Sequence, residues 1–161
     1  MRLRIAAIGR MKSGPERELV ARYLDRAVLT GKPLGLTGFD IAEALESRAT
    51  SPAARKTEEA RALRDASPPG GFVLALDEHG KSMGSEAFAT LIARERDAGR
   101  SAMTCLIGSA DGLDPTLIAT ADLTLSFSPL TWPHQLVRIL VAEQLYRTTT
   151  ILSNHPYHRG D

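Results

Sequence analysis

The chain is poor in the features that mark several protein classes. Its 161 residues include one cysteine, Cys105, so no intrachain disulfide can form, and nothing demands an oxidising compartment. Cys105 lies in the apolar run Met103-Thr-Cys-Leu-Ile-Gly, where a buried thiol is expected. No stretch approaches the roughly 20 apolar residues of a membrane span. The apolar run at residues 5–8 is too short for the core of a secretion signal. A soluble, cytoplasmic protein is expected, without membrane partners. Charge of one sign is also missing: 20 Lys and Arg against 19 Asp and Glu leave +1. That balance excludes a polybasic wrapper of naked nucleic acid but allows a local patch, and residues 1–40 carry an excess of four positive charges. No pair of histidines has helical metal spacing with a carboxylate partner, so no metal is expected.

What is present suits a folded core. Hydrophobic residues make up 43% of the chain and charged residues 24%, and the length favours one domain over residues 1–161. Continuous apolar runs predict strands at 3–8, 72–76 and 103–107, with weaker ones at 34–41 and 123–127. Helical spacing or composition predicts helices after Ser13-Gly-Pro-Glu, over 53–66 with a thin apolar face, after Ser85, over 115–121 and over 133–147. Strands alternating with helices predict an α/β fold, a mainly parallel sheet with helices on both faces.

In such a sheet, ligands sit outside the carboxyl ends of the strands. Three segments there have unusual composition. Asp77-Glu-His-Gly-Lys-Ser is polar, and exposure is the simpler reading of His79 and Lys81. Gly108-Ser-Ala-Asp-Gly permits close backbone approach; it is neither G-x-G-x-x-G nor a phosphate loop, and an ordinary strand-to-helix turn would read the same way. Phe127-Ser-Pro-Leu-Thr-Trp-Pro-His is rigid and apolar, with two prolines in five residues. It suits a flat aromatic ligand such as adenine, or a connection that buries Phe127 and Trp132.

These segments resemble a known family. Val73-Leu-Ala-Leu-Asp, Leu106-Ile-Gly-Ser-Ala-Asp-Gly-Leu, Leu125-Ser-Phe-Ser-Pro-Leu-Thr-Trp-Pro-His-Gln-Leu-Val-Arg, Ala142-Glu-Gln-Leu-Tyr-Arg and the ending His155-Pro-Tyr-His-Arg are similar to the RlmH family. Its members are bacterial methyltransferases of the SPOUT class that act on N3 of a pseudouridine in large-subunit (23S) ribosomal RNA. The resemblance spans essentially the whole chain. It implies a C-terminal trefoil knot, S-adenosylmethionine as methyl donor, a homodimer packed partly through the helix at 133–147, and the ribosome or its large subunit as substrate. It places the donor at Leu76, Gly108, Phe127, Ser128, Pro129, Leu130, Thr131 and Trp132. It brings the tail near the transferred methyl, with Tyr157 and His158 for positioning and proton handling and Arg138 as an electrostatic partner. One departure stands out: Ser109 occupies a position where the family usually has glycine, and a side chain there is expected beside the donor.

Two functions remain open on residues alone: an RNA methyltransferase, or a non-catalytic module that binds a nucleotide or the ribosome. Both need the three segments. Only the enzyme needs a group that helps the acceptor nitrogen lose its proton.

Overall fold

The computed structural model describes residues 1–159, with side chains to Tyr157. Five strands form one parallel sheet in the order β2-β1-β4-β3-β5. They are β1 (Arg2–Ile8), β2 (Thr37–Ala44), β3 (Phe72–Ser82), β4 (Ala102–Ile107) and β5 (Leu123–Ser126). Five helices connect or follow them: α1 (Pro15–Gly31), α2 (Pro52–Asp65), α3 (Ser85–Asp97), α4 (Pro115–Ala119) and α5 (His134–Leu152).

Alternation along the strands divides the core in two. Leu3, Ile5 and Ala7 of β1, Leu74 of β3 and Met103, Cys105 and Ile107 of β4 face α1, α3 and α5. Ala6, Ile8, Ala75 and Leu106 face α2 and α4 through Ala60, Leu63 and Leu117. Both faces are therefore covered, as the continuous apolar runs of β1 and β4 require.

Most boundaries fall within two residues of the sequence expectation, and the larger differences have physical causes. β2 begins at Thr37 rather than 34, because residues Lys32–Leu34 continue α1 as a 3₁₀ turn and Gly35 then reverses the chain at φ 71°. It runs on past 41 because Ala42, Glu43 and Ala44 pair with Ala6, Ala7 and Ile8 of β1, and the polar Glu43 is held by Arg138 at 2.9 Å. β3 does not stop at 76. After a bulge, Lys81 and Ser82 pair again with β5 at Leu125 and Ser126. Gly80 lies so close to β5 that a Cβ there would meet the Leu125 backbone at 2.6 Å. α5 continues past 147 through Thr148-Thr-Thr, β-branched residues that disfavour helix. Packing overrides that preference: all three threonines are buried, and Thr149 and Thr150 donate to the carbonyls of Tyr146 and Arg147, each at 2.7 Å. Among the described residues, no helix is long and apolar enough to cross a membrane.

Candidate functional site

Parallel pairing brings the carboxyl ends of the strands to one edge, and the three unusual segments meet there. The β3 bulge, the β4–α4 turn and the segment after β5 surround a cleft of ≈ 960 Å³. Leu76, Ile107, Leu113, Leu125 and Val137 form apolar walls. Lys56, Asp77, Glu78, His79, Asp111 and His134 supply the charged and titratable lining.

Each segment is held by local chemistry. A Cβ on Gly108 would lie 2.8 Å from the carbonyl carbon of Gly112 and 3.0 Å from the amide of Leu113. The turn is therefore tightly closed, and its residues 108–112 line the cleft. Gly112, at φ 82°, donates its N–H to the Ser109 carbonyl at 2.9 Å. After β5, the Ser126 hydroxyl donates to the Ser128 carbonyl at 3.0 Å, and Leu130 N–H donates to the Ser128 hydroxyl at 2.8 Å. Thr131 reaches back to Glu78 of the bulge at 3.4 Å.

Of the residues expected around the donor, Leu76, Gly108, Phe127, Ser128, Leu130, Thr131 and Trp132 all line this cleft. Pro129 does not; it is exposed beside it. Leu130 and Trp132 form an open rim, 68% and 39% exposed. His79 is largely exposed, with Nδ1 3.1 Å from Asp77 Oδ1.

Of the residues expected to act on the proton, Arg138 and Tyr157 do not line the cleft. Arg138 is fully buried behind the cleft, against Glu43 and the Ile8 carbonyl. Tyr157 docks on α5. Its ring centroid is 4.7 Å from that of Tyr146, Arg147 stands over it at 5.0 Å, and its hydroxyl donates to Glu143 at 3.1 Å. Burial, with the Glu143 carboxylate nearby, pushes the phenol up to about 12. The side chain of His158 lies outside the described residues. Arg138 and Tyr157 are not brought together within one chain.

Sequence reasoning missed the part that α2 plays. Arg55 makes a two-point pair with Asp111, at 2.6 and 3.1 Å, and holds that carboxyl below its ordinary range. Thr57 donates to Asp114, the N-cap of α4, at 3.2 Å. Ser109 lines the cleft, and its hydroxyl donates to buried Glu59 at 2.8 Å. In sequence these α2 residues read as an ordinary solvated face, so no local signal marks them. Among the described residues, no group of three or more His, Cys, Asp or Glu could hold a metal ion.

Comparison with known proteins agrees with this architecture. A family described as "Predicted SPOUT methyltransferase" matches residues 1–158. The chain is 54% identical over 99% of its length to a ribosomal RNA large subunit methyltransferase H from Rhizobium rhizogenes, covering 99% of that protein. It is equally identical to the protein of that name from Sinorhizobium medicae, over 99% of this chain and all of the relative. A probable methylase family protein from Haemophilus influenzae shares the fold at a TM-score of 0.53 and 14% identity, over 96% of this chain and 69% of the other. With a match from end to end and relatives identical at more than half the positions, this chain belongs to the SPOUT methyltransferases, in the family that carries the name ribosomal RNA large subunit methyltransferase H.

Proposed function

We propose that this chain transfers a methyl group from S-adenosylmethionine to large-subunit ribosomal RNA. The observation that carries the reading is the cleft at the carboxyl edge, in a chain that matches methyltransferases of that name over its full length. The cleft fits such a donor. Its volume of ≈ 960 Å³ is within the roughly 300–1,000 Å³ of small-molecule sites. Apolar walls suit a nucleoside ring. The closed turn at Gly108 offers backbone groups rather than side chains to its polar edges.

When bound, S-adenosylmethionine supplies a methyl on a sulfonium, which the acceptor atom takes with its lone pair as the donor leaves as a thioether. The chain's own residues then have two tasks. The 108–112 turn and the 126–132 segment orient the methyl. A second set of groups prepares the acceptor, which the resemblance assigns as N3 of a pseudouridine. That nitrogen is a weakly acidic imide N–H and must lose its proton. A group that takes it contributes typically ~10²–10⁴-fold. The proposed set is Tyr157, His158 and Arg138. Within it, Tyr157 is a neutral donor at neutral pH, since its phenol is pushed up to about 12. It serves to position, and proton removal falls to His158, histidine being the residue type whose ordinary charge change lies nearest neutral pH.

The proposal extends to one domain acting as a homodimer in the cytoplasm, on the assembled ribosome or its large subunit. Leu130, Trp132 and Leu136 form an exposed apolar rim that suits a second copy. The bulk of α5 is buried in its own chain instead, against α1 and α3. Near-neutral net charge cannot hold long naked RNA tightly. Exposed Arg10 and Lys12 follow β1 at the same sheet edge as the cleft and can guide docking. The test is labelled methyl transfer to ribosomes, large subunits and free RNA in parallel. Transfer to the first two is expected. Efficient methylation of a free hairpin at moderate salt would remove the ribosome from the proposal, and no transfer to any of them would end it.

A further inference from the structure

Glu59 is 4% exposed, on the α2 face turned toward the sheet. A carboxylate in that position must have its oxygens satisfied, since leaving them bare is costly. Here Oε1 accepts the N–H of Ser47 at 3.0 Å and Oε2 accepts the hydroxyl of Ser109 at 2.8 Å. The second bond is the consequential one. Ser109 follows Gly108 directly, and its carbonyl takes the Gly112 N–H that closes the turn. Glu59, Ser109 and Gly112 thus form a chain of bonds from α2 into the floor of the cleft.

α2 grips the same turn a second time, through Arg55 and Asp111. The two grips differ in kind. Arg55 and Asp111 are each 27% exposed in their side chains, and water competes for such a pair. The Glu59–Ser109 bond is part-buried and ends on a carboxylate only 4% exposed, and a hydroxyl donating to a charged acceptor is among the stronger hydrogen bonds. It locks the Ser109 rotamer and with it the backbone between the two glycines.

We infer that Glu59 is a positioning residue of the methyl-donor site, holding the 108–112 turn in its binding geometry through the Ser109 hydroxyl. The inference rests on the donor site proposed above. Glu59 touches no ligand; it acts through Ser109. The side chain of Ser109 is therefore one half of a two-residue device.

The experiment is calorimetric binding of S-adenosylhomocysteine, the unreactive product, to the unsubstituted protein and to S109A, E59Q and S109A/E59Q. Thermal unfolding is followed on the same samples. Losing a buried hydrogen bond to a charged group weakens binding by about tenfold, so S109A is expected to show a loss of that order. E59Q keeps an acceptor oxygen and should lose less. The double variant should bind no more weakly than S109A, because both changes remove one bond. In turnover, S109A should raise the KM for the donor by a larger factor than it lowers kcat, and leave the KM for ribosomes unchanged. Native affinity in S109A, with only a lower unfolding temperature, would overturn the inference, as would losses that add in the double variant. If E59Q does not fold, S109A and S109G decide alone, with equal losses expected and native affinity in either one overturning it. Failure of the unsubstituted protein to bind is a different outcome, which would overturn the donor site itself and this inference with it.

Discussion

Arg138 and Glu43 form a buried ion pair across 95 residues of chain, with Nη1 2.9 Å from Oε1. The same guanidinium donates to the Ile8 carbonyl, and the same carboxylate oxygen accepts the Met11 N–H at 2.9 Å. One pair thereby ties α5 to the carboxyl ends of β1 and β2. Burial pulls the guanidinium down, opposed by Glu43 and Glu46; an arginine so placed stays charged at neutral pH.

Arg138→Ala should therefore destabilise the fold by about 3–5 kcal/mol, because it strands a partly buried carboxylate and a backbone carbonyl. The paired change Arg138→Met with Glu43→Gln should recover a large part of that loss. Urea unfolding of the three variants checks both statements. An Arg138→Ala protein as stable as the parent would show that the pair contributes no net stability.

Gly108→Val should remove donor binding. Even a single Cβ there would meet backbone at 2.8 Å, so the turn must open. The rest of the sheet is unaffected, since the position follows the last residue of β4. Calorimetry with S-adenosylmethionine should give no measurable heat, alongside an unchanged far-ultraviolet spectrum. Unchanged affinity would place the donor elsewhere.

Trp132→Ala and Leu136→Ala should weaken self-association without unfolding the chain, because both side chains are about 40% exposed in one copy. Light scattering at micromolar concentration should give a dimer mass for the parent and a lower average mass for the double variant. A monomer mass for the parent would remove the homodimer from the proposal.

Cys105 should be inert in the native state and costly at high pH. Burial pushes its thiol from 9.0 up to about 12. The native state therefore holds its proton through a window in which the unfolded chain loses it. Stability due to this group is complete below pH 9 and falls as pH rises toward 12, by up to about 1.4 kcal/mol per pH unit. Urea midpoints measured from pH 8.5 to 10.5 should fall less steeply in Cys105→Ala. Rapid labelling of the native thiol at pH 8 would contradict its burial.

Deleting residues 155–161 should abolish methyl transfer and leave donor binding in place. Tyr157→Phe is the finer test. It keeps the ring on Tyr146 but loses the bond to Glu143, so a partial loss of rate is expected with little change in stability. Full turnover by the truncated protein would take the tail out of the mechanism.

The layers and the edge that carries the site were legible in the sequence. Apolar runs at 72–76 and 103–107 and their glycine stops are local signals, and parallel pairing then sends every following segment to one edge. Where reading failed, the deciding partner was distant. The polar end of β3 looks like a loop until Leu125 and Ser126 pair with it. Thr148-Thr-Thr looks like the end of a helix until its burial is known.

Seven of the eight residues that the family resemblance implied for the donor site lie around one cleft. The contacts of α2, by contrast, leave no trace: nothing near Arg55, Thr57 and Glu59 in sequence tells which will meet Asp111, Asp114 and Ser109. By itself the sequence determined strand order of appearance, the apolar faces and the ligand segments, all of which depend on neighbours within a few residues. Only the tertiary structure decided which polar groups are buried and paired, because a buried charge is tolerated only where folding delivers its partner.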